Sequence, residues 1–299
     1  MFASPWSARR ALCAVGACGL LWAPAPAGAL TPDRELDQYS VQRWGVDDGL
    51  PMDSVLGLLL SEQGYLWVAT QEGLARFDGV RFEHFDRSNV PDLPHSQASA
   101  LAEGGDGAVW IGTEQGLLRY GPLGETRAYG VDEGLDVRSL LDGEDGTLWV
   151  GARHDLYRLP RGGALEPVAT GAGVEALSLA QTADGTVWAG APDGVLRVSD
   201  GRRFTVADGL PSDQVATVHA ARDGSLWVGT DRGVVRIRGD AVEALDAPAL
   251  DDLYIHALYE DTGGRLWVGT KKDGLFRLGA GDVSHWTGDS APIQVRTIL

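Results

Sequence analysis

Asp223-Gly224-Ser225-Leu226-Trp227-Val228-Gly229-Thr230-Asp231-Arg232-Gly233-Val234-Val235-Arg236 is the stretch from which the fold can be read. The leading Asp-Gly is a tight-hairpin signal, because glycine supplies the positive φ that such turns require. Leu226 to Gly229 follows as a β-rich strand, and Asp231-Arg232-Gly233 makes a second turn. Val234 to Ile237 reads as a further strand and Ala241 to Leu245 as a weaker one. Upstream, Val215 and Val218 open an apolar segment that runs to the first turn. Four short antiparallel strands in roughly 40 residues make one propeller blade.

The same pattern recurs around Trp67 (GYLWVATQEGLARF), Trp110 (GAVWIGTEQGLLRY), Trp149 (GTLWVGARHDLYRL), Trp188 (GTVWAGAPDGVLRV) and Trp267 (GRLWVGTKKDGLFRL). The six tryptophans are separated by 43, 39, 39, 39 and 40 residues, and a period near 40 marks a repeat architecture. Asp106-Gly107, Asp145-Gly146 and Asp184-Gly185 repeat the first turn, with Gln63-Gly64 and Gly263-Gly264 as variants. Glycine also recurs six residues after Trp, at Gly73, Gly116, Gly194 and Gly233, where a positive φ is expected. Asp155 replaces it in the third block, and an extra residue moves it to Gly274 in the sixth. No 3.6-residue periodicity appears, which excludes a helical solenoid. The expected fold is all-β: a β-propeller of four-stranded antiparallel blades, with six full repeats plus halves of a seventh.

The recurring Trp is expected to be packing rather than chemistry, because one ligand cannot use six equivalent positions. A buried indole removes roughly 150–250 Å² from water, worth about 4–6 kcal/mol gross. The arginines that recur with it (Arg76, Arg119, Arg158, Arg197, Arg236, Arg277) are expected to pair between blades with the hairpin aspartates.

Residues 1–29 read as a secretory signal peptide. Arg9 and Arg10 form a positive n-region, Ala11 to Ala23 is apolar, and Ala27-Gly28-Ala29 is a small-residue cleavage site. Thirteen apolar residues are too few for a stable spanning helix. Both cysteines, Cys13 and Cys18, fall in this segment, so residues 30–299 offer neither a thiolate nucleophile nor a Cys-based metal site. Removing the segment leaves 23 basic against 42 acidic residues, a net charge near −19. Such acidity disfavours nucleic acid and anionic membrane surfaces.

The two ends bear on the blade count. Val41 to Val46 stands where a fourth, outer strand belongs, and Ile293 to Leu299 where a first, inner strand belongs. These read as the two halves of a shared seventh blade, with its Trp expected near position 307. The expectation is therefore an N-terminal piece of a longer polypeptide, with about 20 residues of the seventh blade outside it.

The block D-G-x-L-W-V-G-T-x-x-G-L-x-R, preceded by D-G-L-P-S-x-x-V at Asp208 to Val215, resembles the two-component regulator propeller repeat. Asp48-Gly49-Leu50-Pro51 and Asp132-Glu133-Gly134-Leu135 are further copies of the linker, and the resemblance covers residues from about 39 to 299. It implies the exported, periplasmic sensor region of a bacterial membrane receptor. The implied ligand is a small molecule, carbohydrate fragments included, or another periplasmic protein. An immunoglobulin-like domain, a transmembrane helix and a cytoplasmic histidine kinase or diguanylate cyclase typically follow such propellers. Membrane attachment then runs through that C-terminal part, and a homodimer is open for the full-length receptor.

Propeller ligands meet the channel mouth. Thirteen residues before each Trp stand Ser54, Gln97, Asp136, Glu175, Gln214 and Tyr254, with Gln294 equivalent in the seventh repeat. Two residues later come Leu56, Ser99, Arg138, Leu177, Ala216, His256 and Arg296. The second hairpins add Arg153, His154, Asp231, Arg232, Lys271 and Lys272. From these the candidate ligand-binding set is Gln97, Asp136, Arg138, Arg153, His154, Glu175, Gln214, Tyr254, His256, Gln294 and Arg296. Arg138, His256 and Arg296 suit an acidic or sugar-acid ligand.

No catalytic or metal site is expected, and no cofactor. The chain has no G-x-S-x-G elbow, no H-E-x-x-H and no spaced calcium-loop ligands. A non-enzymatic sensor is the leading reading. A lyase-type propeller enzyme, a quinoprotein dehydrogenase and a passive assembly scaffold are the alternatives.

Overall fold

A computed structural model describes residues 39, 41–170, 173–279, 281–288 and 294–298. The expected signal peptide, with Cys13 and Cys18, lies outside the described residues, as do Ile293 and Leu299. The described chain forms six four-stranded antiparallel sheets, each in simple sequential order. Blade one is β1 (Val55–Leu60), β2 (Leu66–Thr70), β3 (Gly73–Phe77) and β4 (Phe82–Phe85). Blade two is β5 (Ala98–Glu103), β6 (Val109–Thr113), β7 (Gly116–Tyr120) and β8 (Thr126–Tyr129). Blade three is β9 (Val137–Asp142), β10 (Leu148–Ala152), β11 (Leu156–Leu159) and the short β12 (Glu166–Pro167). Blade four is β13 (Ser178–Gln181), β14 (Val187–Ala191), β15 (Gly194–Arg197) and β16 (Arg202–Phe204). Blade five is β17 (Val215–Ala220), β18 (Leu226–Thr230), β19 (Gly233–Arg238) and β20 (Ala241–Ala244). Blade six is β21 (Ile255–Glu260), β22 (Leu266–Thr270), β23 (Leu275–Leu278) and β24 (Val283–Trp286). The first strand of each blade packs beside the first strand of the next, from β1 through β21. The sheets therefore stand in a ring with their first strands innermost, as a β-propeller.

Five of the six cores among the described residues are shared by two consecutive blades. Trp67 packs with Val109, Ile111 and Leu118 of blade two, and Trp110 with Val137, Leu148 and Val150 of blade three. Trp149, the one half-buried member of the series, packs against Ala189 and Leu196 of blade four. Trp188 and Trp227 repeat the arrangement with blades five and six. Trp267 is buried and meets the ring of Tyr39 edge-on at 6.1 Å. The expectation that the tryptophans wedge blade against blade holds.

Close approach of the blades depends on the residue two places after each Trp. A Cβ at Gly112 would stand 2.5 Å from Val137, at Gly229 2.7 Å from Ile255, and at Gly269 2.6 Å from Val295. Blade one has Ala69 instead. There the cross-strand partner is Gly57 rather than Ala or a hydroxyl residue, and the facing inner strand presents Ala98. The glycines that open the third strands, Gly73, Gly116, Gly194 and Gly233, take φ values of 150°, 140°, 124° and 125°, as their position requires.

The repeated arginines differ from expectation. Each stands directly across from its own blade's Trp, from Trp67↔Arg76 to Trp267↔Arg277. In blades one, two, four, five and six the guanidinium lies over that indole, 4.5 Å from the ring centre for Arg236 and Trp227. This holds the charge within the blade. Arg119 accordingly pairs with Asp106, Arg236 with Asp223, Arg76 with Glu83 and Arg158 with Glu166, all within one blade. Arg197 adds a partner from the next blade, Asp240 at 2.7 Å.

Other side chains tie the blades. The residue seven before Trp accepts a backbone N–H from the preceding blade's first hairpin. Glu103 takes Glu62 N at 2.8 Å, Gln181 takes Glu144 N at 2.9 Å, and Glu260 takes Arg222 N at 3.2 Å. Asp142 takes the N–H of Gly105. At the fifth seam the half-buried His219 also accepts, through Nε2, from Glu260 N at 3.1 Å.

Residues 41–45 and 294–298 carry no strand, against the expectation of an outer and an inner strand there. A strand requires a ladder partner, and neither segment has one among the described residues. Trp44 packs on Phe77 and Phe82, and Val295 N donates to Thr270 O at 3.0 Å. Between them lies a cavity of about 700 Å³ lined by Trp44, Leu58, Leu66, Val68 and Phe82 on one side and Gln294 to Thr297 on the other.

Candidate functional site at the inner-strand ends

The residue thirteen before Trp sits immediately ahead of the inner strand in five of the six blades, and in blades three, five and six its carbonyl anchors the second hairpin. Asp136 O accepts from Arg153 N, Gln214 O from Asp231 N, and Tyr254 O from Lys271 N. The two sets of candidate residues are thereby held side by side at one end of the ring. Two residues further on, the inner strand carries a β-bulge. In blades one, two, three, five and six the ladder skips one residue: Leu56, Ser99, Arg138, Ala216 and His256. A bulge turns one side chain out of the sheet and is favoured beside binding sites. Each of these residues is half-buried between better-buried or equally buried neighbours.

Two corners gather the expected residues. At blade three, the Asp136 carboxylate accepts from Arg138 Nη2 at 2.6 Å and meets Arg153 Nη1 at 3.5 Å. Asp136 Oδ1 and Arg138 Nε remain buried without a hydrogen-bond partner. Asp136 and Arg153, with His154, Glu114, Glu133 and Tyr157, line a cavity of about 590 Å³. Gln97 sits beside this corner and donates to Glu114 at 2.7 Å.

At blade six, the rings of Tyr254 and His256 lie 4.8 Å apart, and Lys271 Nζ stands 4.6 Å from the Tyr254 ring centre. Gln294 Nε2 donates to His256 Nε2 at 3.1 Å. Burial, then the charges of Arg296 and Lys271, hold the His256 imidazole down to about 4, so it is neutral at pH 7 and accepts that bond.

The remaining candidates stand apart. Gln214 donates to Pro192 O of the preceding blade at 2.8 Å. Glu175 is half-buried just ahead of blade four's inner strand. Glu114 and the bulge itself escaped the sequence reading. Glu114 occupies the position four after Trp, the same one that provides Arg153 and Lys271, so the repeat frame contained the signal.

The model of the two component regulator propeller matches residues 209–232 and 249–272, which hold the second-hairpin turns at Arg232 and Lys271. The search of curated proteins finds no match. Among solved structures, the extracellular domain of a hybrid two component system from B. thetaiotaomicron aligns with a TM-score of 0.72 at 20% identity, over 86% of this chain and 38% of that one. The chain thus spans well under half of that domain's length. Streptogramin B lyase aligns with a TM-score of 0.68 at 15% identity, over 83% of this chain and 88% of that one. Virginiamycin B lyase from Staphylococcus aureus gives 0.64 at 16% identity, over 81% and 85%. Identities this low establish a common fold. Among the described residues no helix is long and apolar enough to cross a membrane. The chain is a β-propeller, two segments of which match the two component regulator propeller repeat.

Proposed function

We propose that the chain is the exported, periplasmic ligand-sensing propeller of a bacterial signal-transduction receptor. It binds a small molecule or a protein partner at the inner-strand ends and passes the signal to an output domain C-terminal to it. In this reading the chain itself is not an enzyme. The repeat match and the likeness to the B. thetaiotaomicron domain support the receptor context.

The observation that carries the reading is the contrast between scaffold and rim. Trp and its facing Arg are constant in all six blades. The bulge residue, presented by the same backbone, is Leu, Ser, Arg, Ala or His. Variable side chains on a fixed frame suit recognition. A thermal-shift screen of small molecules tests it. A hit whose stabilisation is lost in Arg138→Gln or His256→Gln supports the reading; hits indifferent to both, and to changes at Gln97 and Gln214, defeat it.

A lyase is the second reading, because the chain covers 88% of streptogramin B lyase. Incubation with quinupristin followed by mass spectrometry separates the two, since an intact substrate removes the lyase.

A further inference from the structure

The chain is acidic, with a formal net charge of −17, and nearly all its cations are arginines. Lys271 and Lys272 are its only lysines, and they are adjacent, at the tip of the hairpin between β22 and β23. At the equivalent hairpins of other blades the tip is neutralised or acidic. Arg153 meets Asp136, Glu114 accepts from Gln97, and blade five presents Asp231. Lys271 instead rests on the face of Tyr254, a contact that orients an ammonium group without cancelling its charge. Among the described residues neither lysine nor Arg296 forms an ion pair.

The backbone fixes this group. Tyr254 O takes Lys271 N at 2.9 Å, and Val295 N bonds Thr270 O at 3.0 Å. These bonds bring Gln294 and Arg296 alongside the hairpin, and the bulge at His256 turns its ring toward them. Lysine, arginine, imidazole and a carboxamide then converge with no carboxylate bonded to any of them among the described residues.

We propose that the corner formed by Tyr254, His256, Lys271, Gln294 and Arg296 binds the oxyanion end of a small anionic ligand, a carboxylate or a sulfate or phosphate group. This deepens the sensor reading and rests on it. Lys271 and Arg296 supply charge, Gln294 an N–H donor, and Tyr254 an apolar wall beside the anion. The neutral His256 becomes a second donor on taking up a proton at Nε2, which ends its acceptance from Gln294 and frees that N–H for the anion. The groups facing His256 are Tyr254, Lys271, Gln294 and Arg296. An anion set among them offsets the two cations that oppose its protonation, so binding draws in a proton and tightens as pH falls from 7 toward 5.

Isothermal titration with succinate, sulfate and phosphate, at an ionic strength held constant with sodium chloride, tests the proposal, with erythritol as the uncharged control. Saturable binding of one of the anions is expected, and which one binds distinguishes carboxylate from sulfate or phosphate. Lys271→Gln and Arg296→Gln should each weaken it about tenfold. Both side chains are exposed, so the fold is not at risk, and Arg232→Gln at the neighbouring hairpin should leave binding unchanged. His256→Gln should remove the tightening at low pH. The proposal is overturned if none of the three anions binds, or if Lys271→Gln and Arg296→Gln bind like the parent. A screening hit that is uncharged and lost on substituting Tyr254 or His256 would overturn the anion assignment while leaving the sensor reading in place. Loss of both would show as no ligand sensitive to any rim residue.

Discussion

At the residue scale, the repeat leaves a few positions where one blade solves a problem that its neighbour does not. Six residues before Trp, Thr182 Oγ1 accepts from Trp188 Nε1 at 3.2 Å and Asp261 Oδ2 from Trp267 Nε1 at 2.9 Å. In blade five that position is Ala221, and Trp227 Nε1 is buried without a partner. Ala221→Thr supplies the acceptor and should raise stability by about 1 kcal/mol; urea denaturation reads the gain. Trp227→Ala should cost about 3–5 kcal/mol as a large-to-small core change, and a loss below about 1 kcal/mol would remove the Trp from the core. Gly229→Ala places a methyl 2.7 Å from both Ile255 and Thr217, and an overpacked core costs about 1–3 kcal/mol. Adding Thr217→Gly and Ile255→Ala, which reproduces the setting of Ala69 in blade one, should recover part of that loss. The sequence displayed both residues of each such pair. It did not display that they touch, because the contact crosses about 26 residues of chain from Gly229 to Ile255.

At the element scale, turns and strand order were legible from Asp-Gly pairs and apolar runs, since those are local chemistry. The seams between blades were less so. Arginine and aspartate recur together and suggested an inter-blade pair, but the cross-strand position of Arg over Trp keeps the charge at home. The seam bonds fall instead on Glu103, Asp142, Gln181 and Glu260, which have no common residue type for a repeat to advertise. Asp142 is the strained member. Burial, then the nearby Asp106 and Asp145 charges, raise its carboxyl above the usual range despite the Gly105 N–H. A folded-state value above the unfolded one means that ionised Asp142 weakens the fold at neutral pH, and that this penalty fades as pH falls through the raised value. Gln181 makes the same bond with an amide. Asp142→Asn should therefore raise the melting temperature at pH 7, with the advantage shrinking toward pH 4. His219 works in the opposite sense. Burial depresses its imidazole, and the neutral ring accepts from Glu260 N. Its contribution is present above the unfolded value near 6.5 and is lost as pH falls through the depressed one. A melting curve series from pH 7 to 5 should show a drop that His219→Gln flattens.

At the scale of the whole molecule, the period of the tryptophans announced a ring. The candidate rim was legible as positions, and its grouping was not. Asp136, Arg138 and Arg153 meet across a hairpin, whereas Gln294 reaches His256 from 38 residues along the chain. The cavity of about 700 Å³ between Trp44 and Val295 lies between the two segments expected to share a seventh blade. A chain extended by a two-strand hairpin patterned on Gly224 to Arg238 should fill it and melt at a higher temperature; an unchanged melting temperature would show that the space is not a blade position. The bulge has the widest reach. A residue omitted from the ladder forms no cross-strand pair, so exchanging Leu56, Arg138, Ala216 or His256 leaves the sheet's hydrogen bonds and the shared cores untouched. In the proposed sensor reading, folding and recognition are therefore written in separate residues. Selection can rewrite what the rim recognises, one blade at a time, with little debt to stability, and an engineer can do the same.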